Sequence, residues 1–367
     1  MKRRGFLKGA AVAGLAGAAA SSLPAPAISQ GIKRWRMVTT WPKNFPGLGT
    51  GAELLAQLIE KGTEGKLQVT VFGGGEVVKP FDSMDAVAGG EVEMGHGAPY
   101  YWKQKAAATQ FVTGYPFGLS AQEQNAWLQY GGGQELADEM YRAMGCKFFP
   151  SGNTGTQMGG WFNKEINSLE DYRGLRMRIP GLGGEVVKAA AGQPVTLPGA
   201  EIKPALDAGE IEATEWVGPY NDLAFGLHKN AKYYYYPGWH EPGTTLDNFI
   251  NIQAWESLPD DQKAVVTAAN TAVNQLVLSE FVARNNDSLK TLITKHGVVL
   301  KQFPDSVLAG FSVLAGQVVN DLASSDPMSR RVMDSLLGFR KEALAWTSLS
   351  ETAFTAARFL YSYSEGN

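Results

Sequence analysis

The chain has 367 residues, 44% of them apolar and 19% charged, with a formal net charge of −3 and one cysteine. That length suits about two domains of ~150 residues, and the composition excludes wholesale disorder. The lone cysteine, Cys146, excludes an internal disulfide and a thiolate set for an iron–sulfur cluster, so no redox cofactor is expected.

The N-terminus carries Lys2, Arg3, Arg4 and Lys8, then a Gly/Ala-rich apolar run to Leu23, then Pro24-Ala25-Pro26-Ala27. A basic start, a short apolar stretch and a small-x-small site predict a secretory signal over residues 1–27. The run is shorter than the ~20 residues a membrane span needs. Arg3, Arg4, Phe6, Leu7 and Lys8 resemble the twin-arginine export motif, so a periplasmic location is expected. Loss of that segment removes four of the 33 basic residues and no acid, leaving 29 against 36 acidic residues. The resulting excess of acid argues against nucleic acid or an anionic membrane as partner. No second apolar run reads as a membrane span.

In chain order, residues 34–39 predict a strand and 51–62 an amphipathic helix with Leu54, Leu55, Leu58 and Ile59 on one face. Residues 67–72 predict a strand, 79–88 a helix and 91–95 a strand. The rhythm returns with strands at 175–179, 194–197 and 212–217 and helices at 185–191 and 202–208. Such alternation implies parallel sheets covered by helices. Residues 86–93 (AVAGGEVE) overlay residues 205–212 (ALDAGEIE), each a helix end, a Gly stop and a strand. One kind of turn used twice would leave the same trace. Extending the overlay sets His96-Gly97 opposite Glu215-Trp216, both at strand carboxyl ends, where open α/β sheets bind ligands.

From Pro259 onward the pattern is helical, apart from a strand at 298–303. Asp326-Pro327 predicts an N-cap and first-turn proline. A stripe of Val332, Leu336, Phe339, Ala343, Trp346, Leu349, Ala353, Ala356 and Leu360 then predicts one helix of ~35 residues over 327–363. A helix that long must cover another surface, either both halves of its own chain or a partner subunit.

Polar and aromatic residues gather in four places: Tyr100-Tyr101-Trp102, Asn153–Gln157, Arg173–Pro180, and Glu215-Trp216 with Trp239–Gly243. Alternation along 175–179 puts Leu175, Met177 and Ile179 on one face and Arg176 and Arg178 on the other. An arginine at a strand end suits a carboxylate, because its planar fork donates two parallel hydrogen bonds; a surface arginine has the same spacing. Gln157, Glu215 and Glu241 would suit Na⁺ or Ca²⁺ if they converge, and three separate solvated side chains if they do not. Trp41, Phe45, Tyr100, Tyr101, Trp216 and Trp239 are candidates to wall a small cavity. The four histidines (His96, His228, His240, His296) lack metal-ligand spacing, and no nucleophile elbow or phosphate loop is present, so an enzyme is not expected.

The order of signal, first strand, G-L-R-M-R-I-P-G at 174–181, A-L-D-A-G-E-I-E-A-T-E-W at 205–216 and a long helical tail resembles one family. It is the solute-binding component of tripartite ATP-independent periplasmic (TRAP) transporters. The stretches 154–162 (TGTQMGGWF) and 233–243 (YYYYPGWHEPG), with the Glu215-Trp216 pair, resemble the branch that binds 2-oxo acids, or the related lactate binders. The resemblance implies an α/β fold like a type II periplasmic binding protein, with two lobes about a cleft and a long C-terminal helix. It implies lobes at 31–152 and 153–243, return elements at 244–326, and a terminal helix that exchanges between subunits of a homodimer. Arg178 would hold the substrate carboxylate. Gln157, Glu215, Glu241 and the Trp216 carbonyl would hold Na⁺ or Ca²⁺, shared with the substrate. Tyr100 or Tyr101 would hydrogen-bond the ligand. The partners implied are a small organic acid and a membrane permease. Alternatives are another acid (lactate, a C4-dicarboxylate or a sugar acid) or a twin-arginine-exported enzyme.

Overall fold

The structure, a computed structural model, describes residues 31–360. The expected signal at 1–27 and the last three residues of the expected terminal helix lie outside the described residues.

The chain opens with β1 (Lys33–Thr39), α1 (Leu48–Gly62), β2 (Leu67–Phe72), α2 (Ser83–Ala88) and β3 (Met94–Gly97). Three helices, α3 (Thr109–Thr113), α4 (Ala121–Tyr130) and α5 (Gly133–Ala143), lead to β4 (Cys146–Asn153). After β5 (Gly160–Phe162) come β6 (Arg176–Arg178), α6 (Gly181–Ala189), β7 (Gln193–Val195) and α7 (Gly199–Asp207). Next are β8 (Ala213–Thr214), α8 (Pro219–Phe225), β9 (Tyr233–Tyr236), β10 (Thr245–Asn251) and α9 (Ile252–Glu256). The last third is α10 (Asp260–His296), β11 (Val299–Gln302), α11 (Asp305–Ser325), α12 (Pro327–Thr347), a π-helical turn (Ser348–Thr352) and α13 (Ala353–Arg358).

Two sheets organise these elements. The first has the order β2-β1-β3-β10-β4, the second β7-β6-β8-β5-β9-β11. In the first, β1 runs parallel to β2 and β3, while β10 is antiparallel to β3 and β4. In the second, β6 runs parallel to β7 and β8, while β5 is antiparallel to β8 and β9. Five strands thus repeat one order and one set of directions, and the faint repeat in the sequence is a repeat of structure. Each sheet receives one strand from beyond a crossover: β5 enters the second after β4, and β10 returns to the first after β9.

Two strands differ from their expected limits. The strand expected at 91–95 begins at Met94. Gly90, at φ 74°, ends α2, and the Glu91 and Val92 N–H groups bond back to Ala86 O, which uses up three residues in turning. The strand expected at 212–217 is ladder-paired only over Ala213–Thr214, beyond which Glu215 and Trp216 turn into the cleft.

The helix that joins the two halves is α10, with 37 residues, not the terminal one. Asn274 accepts from Gly152 N–H and donates to Asn125 on the first-sheet side, and Asn285 accepts from Tyr220 N–H of α8 on the other. Gly47 and Gly51 let the start of α1 press against Phe281 and Val277, where a Cβ would come within 2.8 Å of either side chain. The terminal helix is not one uninterrupted α-helix: a π-helical turn at Ser348–Thr352 divides it, and its helical form runs to Arg358. Val332 and Leu336 are buried against the first-sheet core, whereas Trp346, Leu349, Phe354 and Phe359 are exposed. One expectation fails: α11 is long and apolar enough to cross a membrane. Its Val307, Phe311, Ala315, Val319 and Ala323 are buried in the protein core, so the apolar character includes a packing face.

Candidate functional site

The two crossovers, residues 154–159 and 237–244, run side by side between the sheets. Thr154 N–H donates to Thr244 O (3.1 Å), Gln157 N–H to Glu241 O (3.2 Å) and Gly238 N–H to Gln157 O (2.9 Å). Gly238 is required here, because a Cβ would overlap the Gln157 carbonyl. This pairing sets Gln157 and Glu241 side chain to side chain. Gln157 Nε2 donates to Glu241 Oε2 (2.8 Å), Thr244 Oγ1 (2.9 Å) and Thr154 Oγ1 (3.2 Å). Thr244 also donates to Glu241 Oε2.

The second sheet supplies the charged pair. Arg178 ends β6 and Glu215 follows β8, its parallel neighbour; Glu215 N–H donates to Arg178 O (3.1 Å). Strand alternation sends Leu175, Met177 and Ile179 into the core and Arg178 into the cleft, while Arg176 pairs with Glu212 nearer the surface. Arg178 Nη1 donates to Glu215 Oε1 and to Glu215 O (3.1 Å), and Nε donates to Leu197 O (3.2 Å). Its guanidinium lies 5.0 Å from the Trp216 ring centroid, a cation–π distance. Arg178 and Glu215 are each 1% exposed. Burial opposes the arginine charge, but Glu215, then Tyr101, Tyr100 and Glu241, outweigh it and raise its pKa.

Glu241 is the strained group. Burial first, and the Glu215 carboxylate second, push its pKa up to about 7. Carboxylate oxygens of Glu215 and Glu241 and a ring nitrogen of His240 lie within 4.8 Å of one another. Two acids that close repel unless a cation or a proton sits between them. His240, which spacing had set aside as a ligand, comes within 3.3 Å of Glu215 Oε2 through Nε2. The signal for it was its adjacency to Glu241, not its distance from another histidine. An imidazole N–H directed at a ligating carboxylate is a usual outer support for a metal.

Besides His240 Nδ1 and Trp216 Nε1, two buried polar atoms of this cluster have no hydrogen-bond partner: the Gln157 carbonyl oxygen and Arg178 Nη2. One is an acceptor beside two carboxylates, the other a free donor of a guanidinium. The donor set of amide oxygen and carboxylates fits a hard cation, and the open guanidinium edge fits an anionic oxygen.

The first sheet closes the cleft with rings. Trp41 meets Trp216 edge-on with centroids 6.2 Å apart, and Phe45 meets Trp216 at 6.4 Å. Tyr100 and Tyr101 pack edge to face at 4.7 Å and line, with Phe81, Pro180 and Gly181, a cavity of about 500 Å³ whose lining does not include Arg178, Glu215 or Glu241. Both phenol pKa values are raised by burial; the largest further influence is Glu241 on Tyr100 and Arg178 on Tyr101. Both tyrosines therefore lie near enough to Arg178 and Glu241 to feel their charges. Trp41 is held by its Nε1–H donating to His96 Nδ1 (2.9 Å), while His96 Nε2 meets Ser151 O (3.0 Å). Burial pushes the His96 pKa down to about 4, so the ring is neutral and free to accept. Trp239 does not wall the cleft. It stacks on Phe311 at 4.1 Å, inside the second-sheet core.

Comparisons with known proteins agree with this architecture. A family model described as bacterial extracellular solute-binding protein, family 7, matches residues 37–326. A monocarboxylate 2-oxoacid-binding periplasmic protein of Nostoc sp. is 40% identical over 358 residues, which is 96% of this chain and 98% of that protein. A TRAP periplasmic solute-binding protein of Pseudoalteromonas atlantica, solved with sodium and pyruvate, superposes with a TM-score of 0.86 at 38% identity, covering 89% of this chain and 99% of that one. Another, of Colwellia psychrerythraea with calcium and pyruvate, gives 0.86 at 39% identity over 89% and 100%. A third, of Bordetella bronchiseptica, is a mixed-occupancy dimer with calcium and picolinate in the occupied site and gives 0.87 at 36% identity over 89% and 97%. With the family matched over most of its length and the two-sheet fold shared, this chain belongs to the family 7 extracellular solute-binding proteins, the receptors of TRAP transporters.

Proposed function

We propose that this receptor captures a small 2-oxo monocarboxylate of about the size of pyruvate, together with one Na⁺ or Ca²⁺ ion, and delivers it to a TRAP permease. The observation that carries the reading is the pair of unpartnered buried atoms, Arg178 Nη2 and Gln157 Oε1, beside the crowded Glu215 and Glu241 carboxylates. Arg178 takes the ligand carboxylate. Gln157, Glu215, Glu241 and the Trp216 carbonyl take the cation, which also meets the ligand's carboxylate and 2-oxo oxygens. Tyr100 and Tyr101 supply hydroxyls from the first lobe. With Ca²⁺ the two acids, one arginine, one cation and one ligand anion sum to zero; with Na⁺ the ion offsets the ligand anion and the sum stays at the −1 of the protein groups alone. The relatives solved with sodium or calcium and pyruvate support the same pairing of ion and acid.

The lobes are taken as 31–152 and 153–243, with 244–326 returning to both, and the crossovers as the hinge about which ligand closes them. No bond is made or broken; the protein binds and hands over. Export by a twin-arginine signal and a periplasmic location complete the reading. A homodimer through the terminal helix is supported by the exposed rings of Trp346, Phe354 and Phe359. The test is mass spectrometry of ligand released by denaturing the purified protein, with elemental analysis of the same sample. A 2-oxo acid with about one equivalent of sodium or calcium is expected. A C4-dicarboxylate or sugar acid with no ion would overturn the reading.

A further inference from the structure

Phe117 holds a backbone conformation that bulky residues rarely adopt, at φ 55°. Such strain persists only where the surroundings over-determine it, and it gathers at functional sites. The surroundings here are specific. Phe117 N–H donates to Trp239 O (2.9 Å), and Phe117 O accepts from Arg340 Nη2 of α12 (3.3 Å). The Phe117 and Trp239 rings are stacked, centroids 6.0 Å apart and 24° between planes. Trp239 is followed directly by His240 and Glu241. A second contact runs parallel to this one. Thr347 of α12 donates to Glu123 Oε1 (2.9 Å), while Glu123 Oε2 accepts from Ser120 N–H (2.9 Å). Gly243 lies so close to Ser120-Ala121 that a Cβ would overlap the Ala121 nitrogen. On its other side the crossover is held by Thr156 Oγ1 donating to Pro242 O (3.0 Å).

We propose that α12 positions the cation site, Arg340 acting through Phe117 and Thr347 through Glu123 on the segment 239–243. Neither Arg340 nor Thr347 touches ion or ligand; both are positioning residues. The groups they align are His240 and Glu241, and the inference therefore rests on the cation reading above. Loss of a support outside the ligand shell typically weakens metal binding about 10- to 100-fold. Acting at one further remove, Arg340→Ala is expected near the lower end, about tenfold. Thr347→Val, which changes little volume, is expected to cost about threefold. Arg340→Lys keeps a cationic donor and should restore most of the loss.

The experiment is a calorimetric Ca²⁺ titration of chelator-treated full-length protein, at saturating pyruvate and without it. Arg331→Ala is the control, since Arg331 lies on the same helix as Arg340 and Thr347 but pairs with the exposed Glu139 of α5 (2.6 and 2.8 Å), away from the crossover. The proposal requires weaker Ca²⁺ binding in Arg340→Ala and Thr347→Val, wild-type binding in Arg331→Ala, and recovery in Arg340→Lys. Should Arg340→Ala fail to fold, Thr347→Val alone decides. Wild-type affinity in Thr347→Val and in any folded Arg340→Ala overturns the positioning role and leaves the cation site standing. A wild-type protein that binds neither Ca²⁺ nor Na⁺ overturns both.

Discussion

The two sheets share strand order and direction, yet they bring opposite chemistry to the cleft. At the end of β3 stands His96, neutral, with its ring nitrogens committed to Trp41 and Ser151. At the matching end of β8 stands Glu215, charged against Arg178 and crowded by Glu241. The first half closes the site with Trp41, Tyr100 and Tyr101, and the second half holds the charges. One frame, repeated, can therefore divide its work: in the proposed function one half would read the ligand's charge and the other its size. The crossovers that exchange β5 and β10 between the sheets carry Gln157 and Glu241, so the proposed cation ligands sit at the proposed hinge.

The division is broken most severely at Arg178. Arg178→Ala leaves a buried anion and Glu215 without their partner, and should cost 2–5 kcal/mol in ligand affinity by calorimetry, on the order of 30- to several-thousand-fold. Arg178→Lys should lose less, since a point charge lacks the two-pronged geometry.

Removal of an acid comes next. Glu241→Gln should abolish most of the cation dependence while leaving a weakened, ion-independent affinity for the acid. The same residue sets a pH signature. Glu241 in the folded, cation-free protein holds its proton up to about 7, because burial and Glu215 oppose ionisation, whereas an ordinary glutamate loses it near 4.5. Folding therefore takes up a proton between those values, and stability falls as pH rises through that window. Asp222 and Asp247, raised by burial to about 6, act in the same direction at lower pH. Thermal unfolding of chelated protein should show a midpoint that falls from pH 6 to about 7 and levels off above it. Ca²⁺ should remove most of that slope, and so should Glu241→Gln. A slope unchanged in both would place the proton elsewhere.

A smaller effect sharpens the other half of the comparison. Trp41→Ala opens the ring wall opposite Trp216 and should raise the affinity of a longer 2-oxo acid relative to pyruvate. The expected gain is about 0.8 kcal/mol per added methylene that finds apolar contact, roughly fourfold, by competition calorimetry. Least of all should the exposed outer face of the terminal helix matter to the cleft, Arg340 and Thr347 apart. Its 32 residues from Pro327 to Arg358 span roughly 48 Å, and its second half exposes Trp346 and Phe354. Light scattering should find a dimer at micromolar concentration and a monomer for Trp346→Glu, with pyruvate affinity within about twofold of wild type.

Much of this was legible in the sequence where local physics decides. The alternation of Arg176 and Arg178 with Leu175, Met177 and Ile179 gave the buried arginine its face, and the Gly90 and Gly209 stops marked the repeat. The Asp326-Pro327 pair marked the start of α12, whose N-cap Asp326 accepts from Ser329 N–H. Illegible was whatever depends on distant segments meeting. Gln157 and Glu241 are 84 residues apart, and only the paired crossovers bring them to 2.8 Å. Trp239 had the composition of a wall residue, but stacking on Phe311 draws it into the core. His240 was passed over because its partner Glu215 is 25 residues away, and no spacing rule anticipates a contact made by folding. The joining role of α10 was hidden by its weak amphipathicity, since its buried stripe includes Gln262, Asn270 and Asn274 while Leu276 and Val282 are exposed.

The claim that ion and acid bind as one unit is tested most directly by pyruvate calorimetry on chelator-treated, Na⁺-free protein, with and without added Ca²⁺ or Na⁺. The reciprocal nature of coupling requires that the ion raise pyruvate affinity by the factor that pyruvate raises ion affinity. We expect a gain of at least tenfold on adding the ion, matched in the reverse titration. Equal pyruvate affinity in both buffers, on protein that elemental analysis shows to be free of sodium and calcium, would contradict the account.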